Sequence, residues 1–430
     1  MELYFIPKEN ILTQEIITVG PPEYVVDVYE SCIWTRRFGS YFDFQVVLPA
    51  TQQNKDNIHL FDLVYRSVDR QPYTQYTYDD GFCPVKNVMM IEKIIEDDNN
   101  DKHTLTISGR GFEALFARMI TWNKATIQGK LTSVLPKLLI QNGISVGDGA
   151  AYINYTLTVA QNCSRIGDYT DSVPLSCRNI PMFLEYDDGD VIDYQDFDVV
   201  CDTVNDYLGD TLTQILKPLN CYWYFTLVSI GGQSSQGYVR GWGITLHIKK
   251  PWKLADPANE HYDILFSKDN DTMLSSKYTQ DATQMFNCGQ IVGEGTGADQ
   301  IRVAYPYATG YDLIRVQPQA YERIEAIIDE SSYTSDTIVL VDQYKTLLVE
   351  QADYQKVKNS GQSLEVELNL KNPLYTYGDD DSSGHYDIGN VVGFKTSGNV
   401  MATARLVEMI ESEDGNGTVY TPTFDEWTFY

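Results

Sequence analysis

The sequence predicts a mainly β fold with smaller α+β parts, on three observations. Phe42, Phe44, Val46 and Leu48 alternate with Asp43, Gln45 and Val47 and stop at Pro49, the period-two pattern of a strand with one buried face. An apolar-rich run from Val88 to Glu96 is followed by the polar cluster Asp97-Asp98-Asn99-Asn100-Asp101 and then by Leu105-Thr106-Ile107, which reads as strand, turn, strand. Leu364, Val366, Leu368 and Leu370 alternate without error with Glu365, Glu367 and Asn369, as in an antiparallel sheet or barrel that is wet on one side.

Helices are fewer. Phe112 to Ile120 follows Gly111 and predicts a short one. Thr132-Ser133 can cap a helix carrying Val134, Leu135, Leu138 and Leu139, with Pro136 tolerated in its first turn and Gly143 ending it. Val204, Tyr207, Leu208, Leu212, Ile215 and Leu216 predict a third helix that stops at Pro218. A fourth is expected over about 341–358, with Tyr344, Leu347, Leu348 and Gln351 at helical spacing and Ser360-Gly361 closing it. No β-α-β alternation is visible, which argues against a parallel α/β sheet. The acidic run Asp187 to Asp198, Gly231 to Gly237 and Asp379 to Gly384 read as solvated loops; weak cation binding by the acidic run is the alternative to a hydrated loop there.

Composition bounds the function. The 430 residues leave room for two to four domains of roughly 100–200 residues each, and 43% hydrophobic with 21% charged residues is globular. Sixty acidic residues against 32 basic ones give a net charge of −28. Such a chain repels phosphate backbones, so specific nucleic-acid binding is not expected. Seven cysteines (Cys32, Cys83, Cys163, Cys177, Cys201, Cys221, Cys288) stand singly, with no C-x-x-C pair; free thiols fit assembly in a reducing cytoplasm. The start Met1-Glu2-Leu3-Tyr4-Phe5 has no signal-peptide pattern, and no apolar run of about 18 residues predicts a membrane span. The 31 tyrosines suit strands, protein interfaces or sugar-binding clefts.

Motifs for chemistry come back empty. Gly109-Arg110-Gly111-Phe112-Glu113-Ala114 fits G-x-G-x-x-A, but no acid follows between Leu115 and Gly147, so a strand-to-helix turn explains it better than a dinucleotide site. Asp97, Asn99 and Asp101 begin like a calcium loop, but Lys102 and Ser108 replace the required Gly and Glu. The histidines His59, His103, His247, His261 and His385 have no metal-ligand spacing. No serine elbow is present, and Glu322 and Glu325 are indistinguishable from surface charge. The expectation is therefore no catalytic, cofactor-binding or metal residue, no cofactor, and no enzyme.

Several segments together resemble one family. Tyr29-Glu30-Ser31-Cys32-Ile33-Trp34-Thr35-Arg36-Arg37-Phe38 with Asp43-Phe44 looks like its opening signature, "Y-x-S-x-I-W-T-x-R-Y … G-D-F-E-L". Met90 to Ile94 with Ile107 to Gly111 follows, then Arg118-Met119-Ile120 with Trp122, then Asn287 to Glu294 with Arg323-Ile324-Glu325. Tyr386 to Val392, Ala404-Arg405-Leu406 and Phe424 to Phe429 close the series. In this order the blocks resemble the siphophage ReqiPepy-type tail protein family, which is similar to baseplate hubs and to the N-terminal hub region of tail-associated lysins. Tyr41-Phe42, Ala117-Arg118 and Gly389-Asn390-Val391 depart from the family's pattern, and the stretch from Cys163 to Cys201 matches nothing in it.

The resemblance implies a baseplate-hub-like fold with two tube-like antiparallel β-barrels: a first over 1–112, a connecting α+β region over 113–265, and a second over 266–430 carrying the 341–358 helix. It implies a homotrimeric hub that closes the distal end of the tail tube, adapts sixfold to threefold symmetry and gates genome passage. Expected neighbours are the distal tail protein or tube ring, the tape-measure protein and a tail fibre, spike or plug. The expected location is the virion tail tip. Because the sequence stops soon after the last strand signals, receptor binding and wall cleavage are expected in other subunits. Two rival readings are a tail-associated cell-wall or polysaccharide hydrolase and a receptor- or glycan-binding tail module.

Overall fold

The computed structural model describes residues 1–11, 23–70, 84–99, 102–121, 125–142, 144–147, 180–187, 198–203, 206–234, 237–256, 261–306, 321, 323–331, 345, 348–349, 351–353, 355–356, 361–378, 384–415 and 417–430. The architecture is mainly β. Two units divide the chain, one of Met1–Lys250 with Met409–Thr421 and one of Pro251–Glu408 with Pro422–Tyr430.

In the first unit, strands β1 (Leu3–Ile6), β2 (Tyr24–Val26), β3 (Ser31–Arg37), β4 (Asp43–Pro49), β5 (Leu63–Arg66), β6 (Met89–Asn99) and β7 (Lys102–Gly111) pair in the order β3-β4-β7-β6-β5-β1-β2. Every pair is antiparallel. The alternation read from the sequence is what fills the core: Phe42, Phe44, Val46 and Leu48 join Trp34, Met89, Ile91, Leu105 and Ile107 in one buried cluster. Fully burying a side chain of this size contributes about 1.5–3 kcal/mol. The expected hairpin is present, but its polar cluster is not all turn. Asp97, Asp98 and Asn99 pair with Thr104, His103 and Lys102, while residues 100–101 lie outside the described residues. Gly109 faces a bulge at Glu92, and a Cβ there would stand 1.9 Å from the Met90 carbonyl oxygen. Close backbone approach, not phosphate binding, accounts for this glycine.

A second core in the same unit joins helices to a four-stranded sheet. Strands β8 (Ala125–Lys130) and β11 (Asp198–Thr203) pair with each other, and β9 (Ile144–Gly147), β10 (Ile180–Tyr186), β12 (Tyr222–Ser234) and β13 (Gly237–Lys249) form the order β12-β13-β10-β9. The β9–β10 and β10–β13 pairs are parallel. Parallel pairing thus enters despite the missing β-α-β alternation, because β11, a helix and β12 intervene before the chain returns to β13. The stretch Gly231 to Gly237, expected as loop, continues the ladder to Ser234 opposite Gly237; backbone pairing needs no side-chain periodicity.

Among the described residues, the α-helices of this unit are α1 (Gln52–Asn57), α2 (Leu131–Gln141) and α3 (Leu208–Leu216). Leu131, Val134, Leu135, Leu138 and Leu139 of α2 and Leu208, Leu212, Ile215 and Leu216 of α3 are buried together with Phe225, Leu227, Ile244, Leu246 and Ile248 of the sheet. Helix α2 starts directly from β8, so Lys130, not Thr132-Ser133, holds the cap position, without a side-chain bond. Pro136 consequently lies beyond the first turn. Gly143 is outside the described residues. Phe112–Arg118 forms a 3-10 helix in place of an α-helix, with Phe116 packed edge-on against Phe225 at 4.9 Å. Helix α3 begins at Leu208, so Tyr207 is its cap, and the chain passes Pro218 in a 3-10 turn; Val204 lies outside the described residues.

The second unit contains β14 (Ala255–Asp256), β15 (His261–Tyr262), β16 (Leu265–Ser267), β17 (Met273–Gln280), β18 (Cys288–Val292), β19 (Arg302–Tyr305), β20 (Glu325–Asp329), β21 (Gln362–Leu368), β22 (Thr376–Tyr377), β23 (His385–Tyr386) and β24 (Val391–Lys395). The long strands β25 (Met401–Asp414) and β26 (Gly417–Phe429) contribute to both units. Here β24 pairs with β16 and β25, β17 with β21, and β18 with β19 and β20. Phe394 gathers Phe266, Phe424 and Trp427 around it. The described residues between 345 and 356 are helical, and Leu348 and Ala352 pack on Phe286, Ile291 and Tyr305. Tyr344 and Leu347 lie outside the described residues, as do Cys83, Cys163, Cys177, Trp122, Glu322 and residues 188–197 and 379–383. Cys32, Cys201, Cys221 and Cys288 are buried free thiols. No helix among the described residues is long and apolar enough to cross a membrane.

Candidate functional site: arginine clasps and a polar histidine face

The described residues bring three groups of polar side chains together. The first is a buried clasp in the first unit. Arg66 ends the fully buried strand β5, and the turn Ser67–Asp69 returns Asp69 to it. The guanidinium donates from Nε to Asp69 Oδ2 at 2.7 Å and from Nη2 to Asp69 Oδ1 at 3.0 Å. From Nη1 it donates to Glu411 Oε2 at 2.7 Å. The three side chains are 4–10% exposed. Burial alone would lower the Arg66 pKa, but Asp69 and Glu411 outweigh it and the charge is held. Trp34 lies under the guanidinium at 4.9 Å and donates from Nε1 to the Asn87 carbonyl, while the Asn87 amide donates to Asp69 Oδ1. Two residues beyond Glu411, Glu413 accepts from the Tyr29 hydroxyl at 2.6 Å and from the Met1 ammonium. Burial, then the bond to Glu413, raises the Tyr29 pKa; burial pushes the neighbouring Cys32 up to about 12.

From residue order alone, the Tyr29–Trp34 block carries weight as a signature only. Its chemistry is now visible: both aromatics grip carboxylates or their partner on a strand that arrives nearly 400 positions later, at Glu411 and Glu413. Other blocks are similarly tied. Glu92, the bulged residue, accepts two bonds of 2.8 Å from Arg110 and a third from Arg118. The Arg110 bond, against burial, holds its carboxyl below the ordinary value of 4.5. Asn287 and Ile324 exchange bonds of 3.0 and 2.9 Å, joining the two halves of another block.

The second clasp lies in the second unit. Arg405 donates from Nε to Glu426 Oε2 at 2.6 Å and from Nη1 to the Gly389 carbonyl at 2.7 Å. Gly389 has φ 86°, a conformation that favours glycine, and Asn390 Oδ1 accepts from the Asp387 N–H at 2.7 Å to fix the turn.

The third group covers one face of the four-stranded sheet. Residues of β10, β12 and β13 that do not enter the core alternate onto the opposite face. There Thr226 Oγ1 lies 2.9 Å from His247 Nε2, and His247 Nδ1 lies 2.8 Å from Asp187 Oδ1. Tyr224 stacks on the imidazole at 4.8 Å and donates its hydroxyl to Asp187 Oδ2 at 2.6 Å. Burial would raise the Asp187 pKa, but His247, Tyr224 and Lys249 together lower it. Asp187, expected in a solvated loop, is thus anchored. Thr, His and Asp stand in the order of a nucleophile relay, yet Thr226 is only 2% exposed, which shields its hydroxyl from a substrate carbonyl. Sequence reasoning missed this group because 60 residues separate Asp187 from His247; only the parallel β10–β13 register brings them together.

The family model described as "Siphovirus ReqiPepy6 Gp37-like protein" matches residues 23–424. No curated protein matches the chain. Among solved structures, the chain is similar to the 43 kDa tail protein of prophage MuSo2 from Shewanella oneidensis, with 9% identity, 99% of this chain and 98% of that one covered, and a TM-score of 0.44. It is also similar to a tail protein from Neisseria meningitidis MC58 (12% identity, 95% of each chain, TM-score 0.47). A third is the prophage tail protein gp18 from Listeria monocytogenes EGD-e (9% identity, 99% and 94%, TM-score 0.44).

Proposed function

The chain belongs to the siphovirus ReqiPepy6 Gp37-like family of phage tail proteins, and on that premise we propose that it is the structural hub closing the distal end of the tail tube. The observation that carries the reading is the family match over 23–424, nearly the whole chain. Among the residues that carry the resemblance, Arg405, Gly389 and Glu426 form the clasp of the second unit, and Tyr29 and Trp34 flank that of the first. A non-enzymatic scaffold needs this kind of chemistry, in which buried charges fix geometry and present no reacting group.

In this reading residues 1–112 and 266–430 each contribute a tube-like barrel and 113–265 connects them. Three copies then present six similar barrels to a sixfold tube and hand threefold symmetry to the tip. The tube ring or distal tail protein lies above, the tape-measure protein within, and a fibre, spike or plug below. Host contact opens the channel by shifting a closed form to an open one. The net charge of −28 supports a lumen lined by Asp and Glu, past which DNA slides without binding.

Antibody labelling of intact virions against this chain tests the location. Label confined to the free end of the tail supports the hub; label on the shaft or capsid removes it. Incubation with host cell walls separates the hydrolase reading, which requires loss of turbidity or released sugars.

A further inference from the structure

We propose that Glu185, Asp187 and His247 form a binding site for one divalent transition-metal ion of the zinc class. The proposal is independent of the hub reading. Glu185 pairs directly with His247 in the parallel β10–β13 register, and Asp187 follows two positions on, so all three side chains share one face. Asp187 Oδ1 lies 2.8 Å and Glu185 Oε2 3.7 Å from His247 Nδ1, and the three donor atoms lie within 4.8 Å of one another. Zinc bonds of about 2.0–2.1 Å in a tetrahedron separate ligand atoms by roughly 3.3 Å, inside that spread.

The surroundings have the form of an outer ligand shell. Thr226 Oγ1 at 2.9 Å from Nε2 accepts its proton in one tautomer, which leaves the Nδ1 lone pair aimed at the two carboxylates. Without a cation or proton between them, Nδ1 and Asp187 Oδ1 would be two acceptors face to face. Tyr224 occupies Asp187 Oδ2 at 2.6 Å and so turns Oδ1 toward the imidazole. Hydrogen bonds of this kind orient metal-bound imidazole and carboxylate groups. The donor set of one imidazole and two carboxylates suits zinc and its neighbours better than calcium, which takes six to eight oxygens. The Glu185 side chain is 49% exposed, so an ion reaches the site from solvent and keeps room for water. Lys249 is the competing positive charge near Asp187.

The test is calorimetry of the full chain with Zn2+ after chelator treatment, with Co2+ as a visible-absorption probe. The expected result is one equivalent bound, at least tenfold weaker binding in Glu185→Gln, and loss of the cobalt bands in His247→Gln. Glu185→Gln alters an exposed side chain, so its circular dichroism stays that of the parent and its binding remains readable if the His247 variant fails to fold. Absence of stoichiometric binding in the parent, or equal affinity in Glu185→Gln, would overturn the proposal in favour of a proton shared between His247 and Asp187.

Discussion

Both units are fastened by an arginine that reaches a carboxylate on β25 or β26, but the two arginines work in different surroundings. Arg66 is 5% exposed between Asp69 and Glu411, both at 10% or less. Arg405 is comparably covered at 10%, yet its partner Glu426 is 34% exposed, and a further acceptor is a backbone carbonyl. A charge pair is decisive where water cannot replace a lost partner. Removing one member of a buried pair strands the other without water, whereas a partner at the surface rehydrates.

The largest effect is therefore expected at Arg66. Arg66→Ala leaves Asp69 and Glu411 buried without a cation and should cost about 3–5 kcal/mol of unfolding free energy. Urea denaturation followed by tryptophan fluorescence measures it, and a loss below about 1 kcal/mol would mean that water already reaches the cluster.

Glu113 is a third case, a buried carboxyl held by a backbone N–H. It is 4% exposed, accepts from the Phe225 N–H at 3.1 Å and has no partner at Oε2. Burial raises its pKa from 4.5 to about 7, countered in part by backbone bonds and Arg36. The folded chain thus holds a proton that the unfolded chain releases near 4.5. This contribution is fully present below that pH and is lost as pH rises through about 7, on the order of 3 kcal/mol. Glu113→Gln should flatten the fall in stability between those pH values, read from denaturation midpoints at steps of pH. Glu92 has the opposite sign: its stabilisation is present above 4.5 and lost as pH falls through its lowered value.

The smallest of the three belongs to Arg405. Arg405→Ala should cost about 1.5–3 kcal/mol, the range for bonds to a charged group, and less than Arg66→Ala in the same urea series. Equal losses would erase the distinction between the clasps.

How much of this was legible in the sequence follows from the distance over which each signal acts. Period-two alternation located β4 and β21, and apolar spacing located the buried faces of α2 and α3, because those signals are local. The exact start of α2 was not legible, since strand β8 feeds it without a capping side chain. The resemblance located Tyr29 and Trp34 but not their partners, whereas for Arg405 its blocks also hold the partners Gly389 and Glu426. Glu411, Asp69 and Asp187 looked like any of 60 acids until pairing over tens to hundreds of residues selected them. A hint did exist for Arg66: a charged residue closing the apolar run Leu63-Val64-Tyr65, with Asp69 three positions on.

A symmetry-resolved electron-microscopy map of intact particles decides the proposal that this chain closes the tail as a threefold hub. Three copies are expected at the distal end of the tail, each giving two barrels to a ring beneath the sixfold tube. Copies in any other number, a single barrel per chain, or density along the shaft or capsid would contradict it.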